Sequence, residues 1–130
     1  MKTIIAGSRI IPVETDNQEE FDRLQKELFS KELLDALDDI DFEISEVVCG
    51  MAKGADLTGK AWAEENNIIV KEFPAKWKQF GKSAGPQRNI EMARYAESLI
   101  ALWDGASTGT RHMIRVARMQ GLKVHIHYIK

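Results

Sequence analysis

Five short apolar runs alternate with stretches of helical periodicity along this chain. The first run, Thr3–Ala6, is β-branched and ends at Gly7, and Ile44–Cys49 ends in the same way at Gly50. Three further predicted strands span residues 68–73, 98–103 and 122–129. Parallel neighbours in a sheet need a crossover helix between them. The alternation therefore predicts an α/β fold: a single Rossmann-like, three-layer domain over residues 1–130, with a mostly parallel five-stranded sheet flanked by helices.

Four segments have the apolar spacing of helices. They span about residues 18–38, 55–66, 86–96 and 109–120. Asp16 or Asn17 is available to cap the first, and Pro86 suits the first turn of the third. Residues 75–85 contain lysines, glycines and aromatic residues without clean periodicity, which predicts a loop or irregular lid.

Composition narrows the class of protein. The 130 residues are 44% hydrophobic with a net charge of −2, which excludes strongly charged disordered chains. No apolar run reaches the roughly 18 residues of a membrane span, and the N-terminus turns polar too soon for a signal peptide. The single cysteine forms no internal disulfide. We therefore expect a cytoplasmic protein with no membrane partner.

Charge is segregated along the chain. Residues 14–46 carry a net charge of −10 and residues 47–130 a net charge of +6. The basic part, if it lines one face, attracts anions such as nucleotides, although a charge run is also typical of a plain solvated surface. The acidic part discourages DNA, so nucleic acid is not an expected partner. A third interpretation is that the acidic helix recruits a basic protein.

The loop after the first predicted strand combines a small residue, a hydroxyl and a guanidinium. These are Gly7, Ser8 and Arg9. A backbone amide and the guanidinium there can share a phosphate. The alternative is a tight turn with a surface arginine.

The loop after the second predicted strand resembles a phosphate cradle. Gly50, Lys53 and Gly54 precede a helix start, and Asp56 follows. The lysine precedes the second glycine, so the spacing is not that of a Walker A motif and ATP hydrolysis is not predicted. Asp56 either caps the helix or accepts hydrogen bonds from ribose hydroxyls.

The loop after the fourth predicted strand brings three hydroxyls and two glycines to a helix N-terminus, where free amides and the dipole favour an anion. Its candidate ligand-binding residues are Asp104, Gly105, Ser107, Thr108, Gly109 and Thr110. Ser107 or Thr108 is equally suited to capping the helix, and the two roles are compatible.

Aromatic and basic residues alternate in the segment that leads to the third helix. Arg88 and Asn89 lie near that helix start, where a cation suits a bound phosphate better than it suits the helix dipole. Trp77 and Phe80 are candidates for stacking on a base, although we expect core positions for them.

Other reactive side chains give weaker indications. His125 and His127 share one face of the last predicted strand, with His112 on the preceding helix, but no Cys, Asp or Glu lies within two residues of the strand pair. We therefore predict no metal site and expect exposed histidines at the sheet edge. Cys49 is expected to be an inert apolar residue, although Lys53 and a helix start could lower the pKa of its thiol.

Four sequence blocks together resemble a known family. They are GSR after the first strand, GMAKGAD after the second, FPAKWKQFGKSAGPQRNIEM in the middle and LIALWDGASTGTRHMI near the end. The pattern is similar to the YspA-type, cpYpsA-related SLOG family, found in bacteria and phages. This resemblance implies a Rossmann-like fold and a nucleotide or nucleotide-derived ligand, with no required cofactor.

The chemistry of the loops predicts a role for each of them in binding such a ligand. Phosphate would meet residues 7–9 and 107–110, with countercharge from Arg88 and Lys53. Asp56 or Asp104 would hold ribose hydroxyls, and Trp77 or Phe80 would cover the base.

The wider SLOG superfamily includes the LOG phosphoribohydrolases, which cleave the N-glycosidic bond of a nucleoside monophosphate. Arg88 and the pair Gly109-Thr110 match their arginine and their glycine-threonine segment, but Met113 stands where their catalytic glutamate is expected. A thioether neither ionises nor accepts a proton as a carboxylate does. A binding or sensing module is therefore expected, with phosphoribohydrolase activity as the alternative. The LOG-type relatives also imply a possible homodimer.

Overall fold

The middle layer is a sheet of five parallel strands. The computed structural model describes residues 1–129, and its strands are β1 (Lys2–Gly7), β2 (Glu46–Cys49), β3 (Ile69–Glu72), β4 (Ser98–Trp103) and β5 (Lys123–Tyr128). The strand order is β3-β2-β1-β4-β5, and every neighbouring pair is parallel. The predicted α/β fold is confirmed, and the sheet is entirely rather than mostly parallel.

Helices occupy the segments between the strands. They are α1 (Gln18–Asp39), α2 (Ala55–Glu65), α3 (Trp77–Phe80), α4 (Ala84–Tyr95) and α5 (Thr108–Met119). Of the two candidate caps of α1, Asn17 takes the role, because its side chain accepts a hydrogen bond of 2.9 Å from the Glu20 amide. The expected loop over 75–85 instead contains α3 and a 3-10 turn (Gly81–Ser83), because four residues are too few to show helical periodicity.

The two faces of the sheet are covered by different helices. Phe29 and Leu33 of α1 pack on one face with Ile5 of β1, while Met92 of α4 and Met113 of α5 pack on the other. All five are at most 1% exposed. Burying a side chain of this size stabilises the fold by about 1.5–3 kcal/mol.

The strand order opens a crevice at the carboxyl ends of β1 and β4. The chain leaves β1 for α1 on one face and leaves β4 for α5 on the other, so the order reverses between these neighbours. In open α/β sheets, ligands bind at such a switch point.

Two glycines allow the loops at this end to pack closely. A Cβ on Gly7 would lie 2.0 Å from the carbonyl oxygen of Leu102, and one on Gly54 would lie 2.5 Å from that of Ser8. Gly54 also has a φ of +84°, which favours glycine. The glycines therefore position the loop after β2 against the loop after β1.

Across residues 1–129, none of the helices combines the length and the apolar character needed to cross a membrane.

Candidate functional site

A cavity of about 330 Å³ lies at the carboxyl ends of the strands. The sequence-predicted residues that line it are Gly7, Arg9, Asp56, Trp77, Arg88, Asn89, Ser107, Thr108, Gly109 and Thr110. They come from β1 and the loop after it, from the start of α2, from α3, from the N-terminal half of α4, and from the start of α5 with the loop before it. The fold therefore brings together segments that are up to about one hundred residues apart in the sequence.

The N-terminus of α5 forms one wall of the cavity. Ser107 occupies the capping position without capping through its side chain, and the first amide to bond back is that of Arg111, which donates to the Ser107 carbonyl at 3.1 Å. Helix geometry leaves the amides of Thr108–Thr110 without intrahelical acceptors. Together with the helix dipole, these amides favour an anion.

Asp104 shapes the approach to this helix and is not part of the cavity lining. Its carboxylate accepts hydrogen bonds of 2.8 Å from the amides of Ala106 and Ser107. The hydrogen bond from Ser107 and then that from Ala106 hold the pKa of Asp104 below its ordinary value. The side chain is thus a carboxylate engaged by the loop backbone.

A chain of three hydrogen-bonded side chains borders the cavity on α4 and α5. Arg88 Nε donates to Asn89 Oδ1 at 3.0 Å, which directs the Asn89 amide nitrogen to His112 Nδ1 at 3.1 Å. Burial, followed by the charge of Arg115, lowers the pKa of His112, which favours the uncharged ring. In the uncharged ring, a hydrogen bond from the Asn89 amide to Nδ1 leaves the proton on Nε2.

Asp56 and Arg88 approach each other at Gly50. A Cβ on Gly50 would lie 2.7 Å from Asp56 Oδ2 and 2.8 Å from Arg88 Nη1. Arg88 donates from Nη1 to the Gly50 carbonyl, and Asp56 accepts a 3.3 Å bond from the Ala52 amide. Asp56 is therefore in the first turn of α2 but does not cap it; Gly54 holds the capping position.

Burial dominates the ionisation of this pair. It raises the pKa of Asp56 to about 6, against the opposing effects of Arg88, the Ala52 amide and Arg9. Burial also lowers the pKa of Arg88, with Asp56 opposing the shift and Arg9 adding to it. The cavity thus combines two guanidinium groups with one strongly desolvated carboxyl group.

A second cavity of about 360 Å³ adjoins the first. Arg9, Ala52, Trp77 and Arg88 border both cavities, and Lys53 borders only the second. The exposed Lys53 is therefore displaced from the α5 N-terminus, and Gly50 lies with it in this second space.

Of the two aromatic candidates, Trp77 reaches the cavities and Phe80 does not. Trp77 is 53% exposed, so the expectation that it belongs to the core is wrong. It stands over the start of α4, where a Cβ on Gly85 would lie 3.5 Å from its ring. Phe80 is half-buried beside Pro74 and Gln87 and belongs to neither core cluster, so the core expectation is wrong for it too.

Three other sequence candidates support the loops without lining the first cavity. Ser8 is 2% exposed; its amide donates to the Leu102 carbonyl at 2.9 Å and its Oγ accepts from the Asp104 amide at 3.1 Å. Gly54 packs against the backbone of the first loop. Gly105 turns the chain with a φ of +84°.

The histidines and the cysteine have separate environments. His112 faces Asn89, whereas the His127 side chain is only 17% exposed and pairs with Glu32 of α1. His125 is half-buried, and its Nε2 is buried without a hydrogen-bond partner among the described residues. The expectation of exposed edge histidines is therefore wrong for both His125 and His127. Within residues 1–129, no three metal-ligating side chains come together. Burial raises the pKa of the Cys49 thiol to about 11, so neither Lys53 nor the helix start activates it.

Sequence reasoning did not assign several lining residues to the site. They are Ala6, Ala52, Gly85, Pro86, Met92 and His112, whereas Met113 lines the cavity at the position matched to the glutamate of the LOG pattern. Helical spacing could have found some of them, because Met92 follows Asn89 by three residues and His112 follows Gly109 by three.

Residues 1–80 match the model of the YspA, cpYpsA-related SLOG family. A similar curated protein is the Gene 61 protein of Mycobacterium phage D29, which is 42% identical over 84 residues, covering 60% of this chain and 67% of that protein. A similar solved structure is DNA processing protein A (DprA) from Streptococcus pneumoniae, with a TM-score of 0.65 at 16% sequence identity. The match covers 96% of this chain but 49% of the DprA chain, and at this identity it shows the shared fold alone.

Proposed function

Because the chain belongs to the YspA, cpYpsA-related SLOG family, we propose that its cleft binds a nucleotide or nucleotide-derived phosphoribosyl ligand. In this proposal the protein acts as a sensor or binding module. Family membership and the DprA-like fold support a binding module. The residues around the cavity support the choice of ligand.

The observation that carries the proposal is the N-terminus of α5 facing two arginines across one cavity. The amides of Thr108–Thr110 lack intrahelical acceptors, and Arg9 and Arg88 line the same space. A phosphate group satisfies both, because it accepts amide hydrogen bonds and pairs with a guanidinium. Half-buried Arg88 is held by Gly50 and Asn89, so it meets such a group already oriented.

The rest of the cavity suits a ribose and a base. Asp56 and the Nε2–H of His112 offer polar partners for hydroxyl groups, and Trp77 offers an exposed aromatic face at the rim. Mixed apolar walls with a few placed polar groups are typical of small-molecule sites.

The test is equilibrium dialysis of the purified protein against a mixture of AMP, other nucleoside monophosphates, NAD and ADP-ribose, read on both sides by mass spectrometry. We expect one compound to be retained intact, and retention to be lost in Arg88→Ala. Arg94→Ala is the matched control, since Arg94 is exposed on the same helix and does not border either cavity. Equal retention by wild type and Arg88→Ala contradicts the proposal.

A second candidate is cleavage of the N-glycosidic bond of that ligand. Met113 lines the cavity and supplies no carboxylate, but Asp56 does, and among residues 1–129 it is the acidic side chain of the cavity lining. A carboxyl group with a pKa of about 6 is suited to proton transfer near neutral pH. In the same dialysis experiment this activity would release free base, and Asp56→Asn would abolish the release.

A further inference from the structure

A groove of about 470 Å³ lies between α5 and β5, outside the nucleotide cleft. Its lining residues are Trp103, Arg111, Ile114, Arg115, Arg118, Met119, Ile126 and Tyr128. It shares no lining residue with the two cavities described above. The groove is therefore a different space from the proposed nucleotide cleft.

Three exposed arginines form one wall of the groove. Arg111, Arg115 and Arg118 follow one side of α5 at i, i+4 and i+7, which separates the outer two by a rise of about 10 Å. Within residues 1–129, none of the three pairs with a carboxylate. The acidic α1 packs on the opposite face of the sheet, so it does not neutralise the positive charge of these arginines.

The groove also exposes apolar side chains. Met119 at the end of α5 is 76% exposed and Tyr128 of β5 is 58% exposed, and the ring centroids of Trp103 and Tyr128 lie 5.8 Å apart. Arg111 stacks over Trp103 at 5.7 Å and donates to the Gly105 carbonyl at 3.3 Å, so it is held in place. Arginine, tryptophan, tyrosine and methionine are the residues enriched in protein–protein interfaces.

The edge of β5 is open beside this groove. In the described part of the chain, β5 pairs with β4 and with no other strand. The Lys123 amide donates to the carbonyl of Glu97, just before β4, at 3.2 Å, and the Ile129 amide donates to the Trp103 carbonyl of β4 at 2.8 Å. Backbone amides of successive strand residues point to opposite sides of the strand. The amides of the even-numbered residues of β5, including that of Tyr128, therefore point away from β4. Such an edge accepts an added strand.

We propose that this groove binds an extended acidic segment of a partner protein, which pairs with the edge of β5 and places alternate carboxylates against the arginines of α5. Alternate side chains of a strand are about 6.6 Å apart, which is close to the rise of about 6 Å between Arg111 and Arg115. The apolar floor receives an aliphatic side chain of the same segment.

A protein segment fits this groove better than a nucleic acid does. Single strands of nucleic acid bind by stacking successive bases on aromatic rings. Here the floor between the arginines is made of Ile114, Ile126 and Met119, which accept aliphatic groups, while Trp103 is already covered by Arg111. The acidic α1 of a second copy does not present a strand, because it is a 22-residue helix.

The test is fluorescence anisotropy with a labelled ten-residue peptide in which glutamate alternates with valine, titrated with the full chain at low salt. We expect saturable binding that weakens about tenfold or more in Arg115→Glu and with a peptide carrying glutamine in place of glutamate. Arg94→Glu on α4 introduces the same charge change outside the groove, and we expect it to leave binding unchanged.

A second pair of variants tests the strand pairing itself. Tyr128→Ala keeps the outward amide and Tyr128→Pro removes it, so we expect the proline variant to bind the peptide at least threefold more weakly than the alanine variant. Circular dichroism checks that both variants fold. The proposal is overturned if the peptide does not bind saturably, or if the glutamine peptide binds as tightly as the glutamate peptide. It is also overturned if the alanine and proline variants bind the peptide equally well, or if a ten-nucleotide oligothymidine binds more tightly than the peptide.

Discussion

Replacing Gly109 by valine separates ligand binding from folding in this protein. Gly109 lies in the first turn of α5 and lines the cavity, and a Cβ built on it meets no atom within 4 Å. The added side chain therefore fits the folded chain but occupies the space in which a phosphate would approach the amides of residues 108–110. We expect loss of nucleotide affinity without loss of stability.

The magnitudes follow from the contacts that are removed. A hydrogen bond to a charged group contributes about 1.5–3 kcal/mol, so loss of two amide contacts weakens binding by at least about 3 kcal/mol, or more than a hundredfold. Glycine in a helix is less favourable than alanine by about 0.5–1 kcal/mol, so Gly109→Ala is expected to be as stable as the wild type or more stable.

The assay is calorimetric titration with the nucleotide retained in dialysis, together with urea unfolding of each variant. Ala106→Val is the matched control, because Ala106 is exposed in the same loop and does not line the cavity. Wild-type affinity in Gly109→Val would refute the placement of the phosphate at α5. A large loss of unfolding free energy would refute the claim that a side chain at residue 109 fits the folded chain.

Three further predictions concern the site and the core. Arg88→Ala should weaken nucleotide binding by about 1.5–3 kcal/mol by calorimetry, with circular dichroism as the check that the variant is folded. Because the pKa of Asp56 is raised to about 6, the folded state binds a proton at this carboxyl more tightly than the unfolded chain does. The bound proton therefore stabilises the folded state fully below pH about 4, and this contribution is lost as pH rises through about 6. Urea unfolding should therefore show wild type losing up to about 3 kcal/mol relative to Asp56→Asn between pH 4 and pH 7, and parallel curves for the two proteins would contradict the burial argument. Phe29→Ala should cost about 3–5 kcal/mol of unfolding free energy, because Phe29 is 1% exposed; a cost below 1 kcal/mol would show that α1 packs loosely.

Much of the fold could be predicted because its signals are local. The runs Thr3–Ala6 and Ile44–Cys49 are each closed by glycine, and each contains most or all of a buried parallel strand. Helix α3 was missed because four residues hold no repeat. Trp77 was expected in the core from its size, and nothing local indicates that α3 turns it toward the cavities.

The loops that form the candidate site could be predicted from the sequence, but the contacts between their side chains could not. The motifs located the loops after β1, β2 and β4, since ligand-binding loops follow parallel strands. The approach of Asp56 to Arg88 could not be foreseen, because it depends on Gly50 holding the Arg88 guanidinium across 38 residues of sequence. The division of roles between Asp104 and Asp56 has the same origin: Asp104 satisfies the amides of its own loop, whereas Asp56 is buried against the cavity.

The central claim is that an anionic group of the ligand docks on the amides at the start of α5. The most direct measurement is a series of ¹H–¹⁵N correlation spectra of the labelled protein during titration with AMP and with ADP-ribose. We predict saturable shifts of the Thr108, Gly109 and Thr110 amides with at least one of the two compounds, and loss of those shifts in Arg88→Ala. Shifts centred on other residues, or no saturable shift with either compound, would contradict the claim.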